Sequence, residues 1–302
     1  MSSSPPDGFG TRSLRLEDAA GAAELVNAFD AAHLDEATDE LSPADVLDWW
    51  RLYDLDRDSI GAFAERLAAF GLVDERDEEA LQLHAMVEPG YVQQGLGSFL
   101  LDWAEAKAAP GRKLRTVIGA TDDRARLLVE ARGYRRVRQH YRMAVDLDEP
   151  PPSPDWPEGF AVAVLRTGEE RRLYEVIEEA FADEWGRPGR SFEEWQRGTF
   201  GSQSFDPMLC FLARTGDEVV AAEMCRHRFG MGFVGAIGVL RPWRRLGLGR
   251  ALLLHGFGEL YRRGERRIGL GVDAGNATGA TKLYESVGMR VAWQADTYEK
   301  AL

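Results

Sequence analysis

Two kinds of hydrophobic spacing alternate along the second half of the chain. Short apolar runs between glycine, proline or charged residues, which are typical of strands, occupy 208–214, 219–228, 233–240, 267–272 and 291–300. Apolar residues recur at helical spacing in 169–184, ahead of these runs, and between the runs in the segment after Gly247 and at Ala280, Leu283, Tyr284 and Val287. This order of helix, antiparallel strands, helix, strand, helix and strand predicts an α/β unit around a mixed sheet.

The first half of the chain repeats this pattern at an offset of about half the chain length. Gly95-Leu96-Gly97 corresponds to Gly247-Leu248-Gly249, and residues 128–134 correspond to residues 283–289. A proline-rich segment lies between the two copies, and proline favours extended, unpaired backbone. The sequence therefore predicts an N-terminal domain over 1–148, a linker over 149–158 and a C-terminal domain over 159–302. Within the first copy, 59–70 fits a helix or two short strands, and the duplication favours strands.

Composition narrows the class of protein. Hydrophobic residues make up 44% of the 302 residues, which is enough to bury a core. The net charge of −13 argues against nucleic-acid binding, because acidic surfaces repel phosphate backbones. No apolar run is long enough for a membrane helix, and no signal peptide is readable, so a cytoplasmic location is expected. Cys210 and Cys225 lie in strand-like runs and are expected to be buried thiols, and no metal-ligand cluster is apparent.

The turn between a strand and a helix at 244–250 carries candidate chemistry. Its glycines allow a tight backbone, and the first amides of the following helix have no intrahelical partner. Such amides bind phosphates, and the neighbouring arginines add positive charge. The turn consists of Arg244, Arg245, Leu246, Gly247, Leu248, Gly249 and Arg250. The alternative is a turn that serves only to pack the helix on the strand.

The turn belongs to a longer pattern, R-x-x-G-x-G, then an asparagine, then A-x-x-L-Y-x-x-x-G. Here the later parts are Asn276, Ala280, Leu283, Tyr284 and Gly288. This pattern resembles the GNAT superfamily of N-acetyltransferases. The resemblance covers the whole second copy, and it covers the first copy with weaker motifs. Two such copies in one chain resemble tandem members of the superfamily such as mycothiol synthases. It implies two tandem GNAT-like domains, each an α/β (α+β) fold with a mixed, mostly antiparallel sheet flanked by helices.

The resemblance also implies acetyl-CoA as co-substrate. The turn 244–250 would hold the coenzyme pyrophosphate, and the strand Ile237-Gly238-Val239 would pair with the pantetheine arm. Asn276 and Ala280 would contact the coenzyme. Tyr284 would protonate the leaving thiolate, although a helix aromatic in this position also suits plain packing.

The general base and the acceptor wall are less clear in the sequence. Mycothiol synthases carry a glutamate on the strand before the turn, whereas 233–238 holds no acid. Glu223 on the neighbouring strand is the best candidate base, with a surface acid as the alternative. Asp273 matches an acceptor-side position of the resembled family. In the resembled family, one side of the acceptor site is formed by the segment that corresponds to Asp183, Glu184 and Trp185. Acidic and aromatic side chains there would suit a cationic amine.

The first copy departs from the motif. Val92 and Val129 stand where the second copy has Arg244 and Tyr284, and acids at 122 and 123 replace the asparagine. We therefore expect a catalytically silent first domain.

The sequence predicts an acetyl-CoA-dependent N-acetyltransferase that acts on a primary amine of a small molecule, with catalysis in the C-terminal domain. Mycothiol synthesis proper and a non-catalytic acyl-CoA-binding regulator are the alternatives. The expected partner is the small amine acceptor, without nucleic acid or membrane, and the chain is expected to be a monomer or a homodimer.

Overall fold

The computed structural model describes residues 4–33, 41–182, 184–185, 189–202, 205–228, 230–276 and 279–302. In this part of the chain the strands are β1 (Gly10–Arg12), β2 (Ser59–Phe63), β3 (Leu67–Asp74), β4 (Ala80–Val87), β5 (Lys113–Gly119), β6 (Arg135–Asp146), β7 (Ala161–Val164), β8 (Cys210–Thr215), β9 (Glu218–Arg228), β10 (Met231–Val239), β11 (Arg267–Asp273) and β12 (Arg290–Ala301). The α-helices are α1 (Ala19–His33), α2 (Pro43–Trp50), α3 (Leu55–Asp58), α4 (Leu96–Lys107), α5 (Asp123–Ala131), α6 (Glu170–Ala180), α7 (Phe192–Trp195), α8 (Leu248–Arg262) and α9 (Ala280–Glu285).

The chain folds into two compact units. The first comprises Met1–His140 together with Trp293–Leu302. Its strands pair in the order β1-β2-β3-β4-β5-β12; of these pairs, β4 with β5 is parallel and the others are antiparallel. The ambiguous segment 59–70 forms β2 and the start of β3, as the duplication favoured. The last strand of the chain, β12, therefore completes the sheet of the first unit. The boundaries at 148 and 159 describe the sequence repeats and stay a prediction.

The second unit comprises Tyr141–Ala292, and its strands pair in the order β11-β10-β9-β8-β7. Of these pairs, β10 with β11 is parallel and the others are antiparallel. Helix α8 buries Leu252 and Phe257 in a core with Phe211 of β8. Helix α6 places Leu173 and Ile177, one helical turn apart, in a second core with residues of β8 and β9.

This arrangement confirms the predicted fold class, in which each unit is a mixed, mostly antiparallel sheet with helices. Both free cysteines, Cys210 and Cys225, are buried as expected. Among the helices of the described residues, none has the length and apolar character that crossing a bilayer requires.

Candidate functional site

Strand β10 separates from its parallel neighbour partway along its length. Its Cα pairs with β11 run from Gly232 to Val234, whereas its antiparallel pairing with β9 continues to Val239. The register with β9 shifts between Val234 and Ala236, so exposed Gly235 is the extra residue of a β-bulge. Bulges turn backbone groups away from the ladder, and this one stands where the parallel pairing ends.

The predicted pantetheine strand follows the bulge. Ile237 and Val239 are half-buried and pack on the α8 side of the sheet. Gly238 is buried, and a Cβ on it would lie 2.6 Å from the Cβ of Ala180 at the end of α6. Gly238 therefore permits the close approach of α6 to this strand.

The bend after β10 is exposed and has left-handed backbone at two positions. Arg245 has φ of 66° and Gly247 has φ of 91°. Leu246 is 48% exposed, and Arg245 and Gly247 are also exposed. Gly247 is the N-cap of α8 and provides no side-chain hydrogen bond to the helix amides. The nearest side chain to a Cβ at Gly247 is that of Pro157, at 3.9 Å, and proline has no polar side-chain atom. The amides that begin α8 are therefore open to an anion.

The start of α8 is anchored through two of the predicted residues. Leu248 is 1% exposed and belongs to the buried face of the helix. A Cβ on Gly249 would lie 3.1 Å from Cδ2 of Leu283, so this glycine lets α9 pack closely. Arg250 is exposed beside the bend.

Arg244 has a different position from the other arginines of the turn. Its Nε donates to the carbonyl oxygen of Val239 at 2.9 Å, and its Nη2 donates to that of Ala180 at 3.2 Å. The guanidinium thus ties the bend to β10 and to the end of α6. Its predicted contact with a coenzyme stays a prediction, and Arg245 and Arg250 are the more accessible cations.

Tyr284 lies on α9 in the same core as α8 and is 8% exposed. Burial raises its pKa to about 12, and the negative charge of Glu184 adds to this shift. The phenol is therefore protonated at neutral pH and is able to donate a proton. Ala280, which begins α9, is half-buried against the same core.

Glu223 on β9 is fully buried on the side of the sheet that faces α8. A Cβ on Gly256 of α8 would lie 2.5 Å from its Oε2. Neither carboxyl oxygen has a hydrogen-bond partner among the described residues. Burial raises the pKa of Glu223 well above its ordinary value, because a buried carboxylate loses its hydration, and so favours the protonated carboxyl group. Its role as general base stays a prediction.

The other predicted residues lie at two loops. Asp273 ends β11 and is 5% exposed, with Oδ1 accepting from the amide of Gly275 at 2.8 Å. Its carbonyl oxygen accepts from the amide of half-buried Asn276 at 3.0 Å, which closes the turn. Glu184 and Trp185 follow α6 and are half-buried, whereas Asp183 lies outside the described residues.

The first repeat contains a bend of similar backbone. Gln93 has φ of 65°, and Gly95 has φ of 86° at the N-cap of α4. Val129 is buried, and the side chain of Asp122 accepts from the amide of Ala125 at 2.9 Å. Asp122 therefore caps α5.

Sequence reasoning missed one residue of this region, Arg226 on β9. Its guanidinium lies beside Gly235 at the bulge. No clear signal for it was present in the sequence, because Arg226 lies next to His227 and Arg228 at the polar end of β9.

Comparisons with known proteins identify the family of the chain. Residues 171–289 match the family described as Acetyltransferase (GNAT) family. The chain is 31% identical to a mycothiol acetyltransferase of Thermobispora bispora over 240 residues, which cover 77% of this chain and 79% of that one.

Solved structures give the same result over the full length. A GCN5-related N-acetyltransferase from Sphaerobacter thermophilus is 36% identical with a TM-score of 0.81, and the match covers 99% of this chain and 97% of that one. A tandem GNAT protein from the clavulanic acid biosynthesis pathway is 14% identical with a TM-score of 0.71, and the match covers 97% of this chain and 98% of that one. The two proteins share the fold. Because the chain is 36% identical to the Sphaerobacter thermophilus protein over nearly its whole length, it belongs to the GNAT family of acetyltransferases.

Proposed function

We propose that the second repeat transfers the acetyl group of acetyl-CoA to a primary amine of a small molecule. The observation that carries this proposal is the exposed bend before α8, whose main-chain amides have no side-chain cap. Two exposed arginines, Arg245 and Arg250, flank these amides. The bend therefore suits the diphosphate of a coenzyme.

The chemistry follows as direct attack in a ternary complex. The amine nitrogen attacks the thioester carbonyl carbon, the carbon–sulfur bond breaks, and the thiolate leaves. The hydroxyl of Tyr284, which its raised pKa keeps protonated before the reaction, donates its proton to that thiolate. The amine loses its own proton to a base or to water. The backbone beside the bulge at Gly235 would polarise the thioester carbonyl.

The acceptor side would be formed by Asp273, Glu184 and Trp185. Asp273 stands at the end of β11, close to the turn that contains Asn276. The negative charge of Glu184 contributes to the raised pKa of Tyr284. This electrostatic coupling supports an acceptor amine next to the proposed proton donor.

The acceptor of the mycothiol acetyltransferases is a second candidate. It is favoured by curated relatives of that name in Thermobispora bispora and Cellulomonas flavigena, at 31% and 28% identity. The strand 233–238, where the sequence lacks an acid, argues against it.

The test is acetyl-CoA consumption by the full chain with a panel of small amines that includes the mycothiol precursor. We expect stoichiometric formation of an N-acetylated product and free coenzyme A. Binding of acetyl-CoA without consumption across the whole panel would contradict the proposal.

A further inference from the structure

Arg226 lies on β9 opposite Phe233 of β10. A Cβ placed on Gly235 would lie 3.4 Å from both Nε and Nη2 of Arg226, so the guanidinium lies against the bulge glycine. Side chains alternate along a strand, and Ala222 and Met224 pack in the core beneath α6. Arg226 therefore shares the α6 side of the sheet, opposite to the buried Glu223.

The guanidinium of Arg226 has no counter-ion within the described part of the chain. Its Nε is buried and has no hydrogen-bond partner there. Burial lowers the pKa of Arg226, and no acidic side chain opposes that shift. Arg226 as a whole is half-buried. A partly buried cation without a partner destabilises the folded state, because lost hydration is not replaced. Such a cost is explained if a ligand supplies the missing anion.

We infer that Arg226 binds a carboxylate of the acceptor, so the acceptor is an amino acid or a similar amine that carries a carboxylate. This inference rests on the proposed function and specifies its substrate class. The planar fork of arginine matches a carboxylate with two parallel hydrogen bonds. Gly235 stands just beyond the last pair of β10 with β11, is exposed, and has no side chain that would cover the guanidinium. A carboxylate held there would bring a nearby amine to the bulge.

The experiment measures kcat/KM for acetyl transfer by the full chain to matched pairs of acceptors. The pairs are α-, β- and γ-amino acids and aminobenzoates, each with its carboxamide. We expect at least one acid to exceed its amide by about tenfold or more, mainly through KM, since charge-assisted hydrogen bonds are the strong ones. In Arg226→Met this ratio falls to near one, and in Arg226→Lys it is intermediate. Arg228→Met, on the same strand at an exposed position, is the matched control and keeps the ratio.

Thermal unfolding without acceptor is a second measurement. Arg226→Met should raise Tm, because it removes a half-buried charge that has no partner among the described residues. A lower Tm for this variant would show that the guanidinium stabilises the fold and would count against a ligand role.

The outcomes separate the two claims. Equal use of acids and amides by the wild type, alongside measurable acetyl transfer, overturns this inference alone. Preference for aminoalkyl phosphates over every acid would also overturn it, in favour of a phosphate ligand. Absence of acetyl transfer to every amine would overturn the proposed function and this inference with it.

Discussion

At the scale of single residues, Tyr284 tests the proposed chemistry. Replacing it with Phe removes the hydroxyl proton and keeps the buried ring, which is 8% exposed. We expect kcat to fall about 10²-fold or more, the range attributed to general acids, with unchanged affinity for acetyl-CoA. Steady-state kinetics and calorimetry measure the two quantities. Full turnover by Tyr284→Phe would remove the phenol from the mechanism.

Glu223 gives a prediction about pH and stability. Its pKa is raised in the folded protein, so the folded state binds more protons than the unfolded state above the ordinary glutamate pKa. The stability that this protonated group contributes is present at low pH and is lost as pH rises toward the folded-state pKa. We expect Tm of the wild type to fall with pH relative to Tm of Glu223→Gln, which does not titrate. Parallel Tm curves for the two proteins would contradict a buried, protonated Glu223.

The sequence could predict some of these residues and not others. Tyr284 was identifiable from its motif and helical spacing. The orientation of Glu223 was not, because β9 is buried on both faces from Val219 to Ala222 and shows no alternation there. The contacts of Arg244 with the carbonyls of Val239 and Ala180 depend on packing that no local pattern reveals.

At the scale of elements, the packing of α8 against β9 depends on Gly256. A Cβ there would lie 2.5 Å from Oε2 of Glu223 and 3.0 Å from Sγ of Cys225. We expect Gly256→Ala to destabilise the protein by about 1–3 kcal/mol, as overpacked cores do. Gly258 on the same helix has nothing within 4 Å of a Cβ, so Gly258→Ala should be neutral or stabilising by up to about 1 kcal/mol. Chemical denaturation compares the two, and equal effects would show that α8 does not press on this glutamate.

Elements with strong periodicity were predictable within a few residues. The strand expected at 267–272 is Arg267–Asp273, and that expected at 291–300 is Arg290–Ala301. The helix expected over 169–184 ends earlier, at Ala180. The bulge at Gly235 and the pairing of β12 with β5 were not predictable, because both depend on which distant strands become neighbours.

At the scale of the whole molecule, the two repeats share a backbone device but differ in side chains. Gly95 and Gly247 both have left-handed backbone at the start of a helix. Tyr284 of the second repeat has its counterpart in Val129, which offers no proton. We therefore propose that the first repeat is catalytically silent, whether or not its bend binds a ligand.

Calorimetry of acetyl-CoA binding to Gly247→Leu tests the central claim most directly. A leucine at φ of 91° strains the backbone and covers the amides that begin α8. Gly95→Leu, at φ of 86°, places the same strain on the first repeat and is the matched control. The account predicts that Gly247→Leu folds but loses acetyl-CoA binding at the second repeat together with acetyl transfer, whereas Gly95→Leu retains transfer. Wild-type binding and turnover by Gly247→Leu would contradict it.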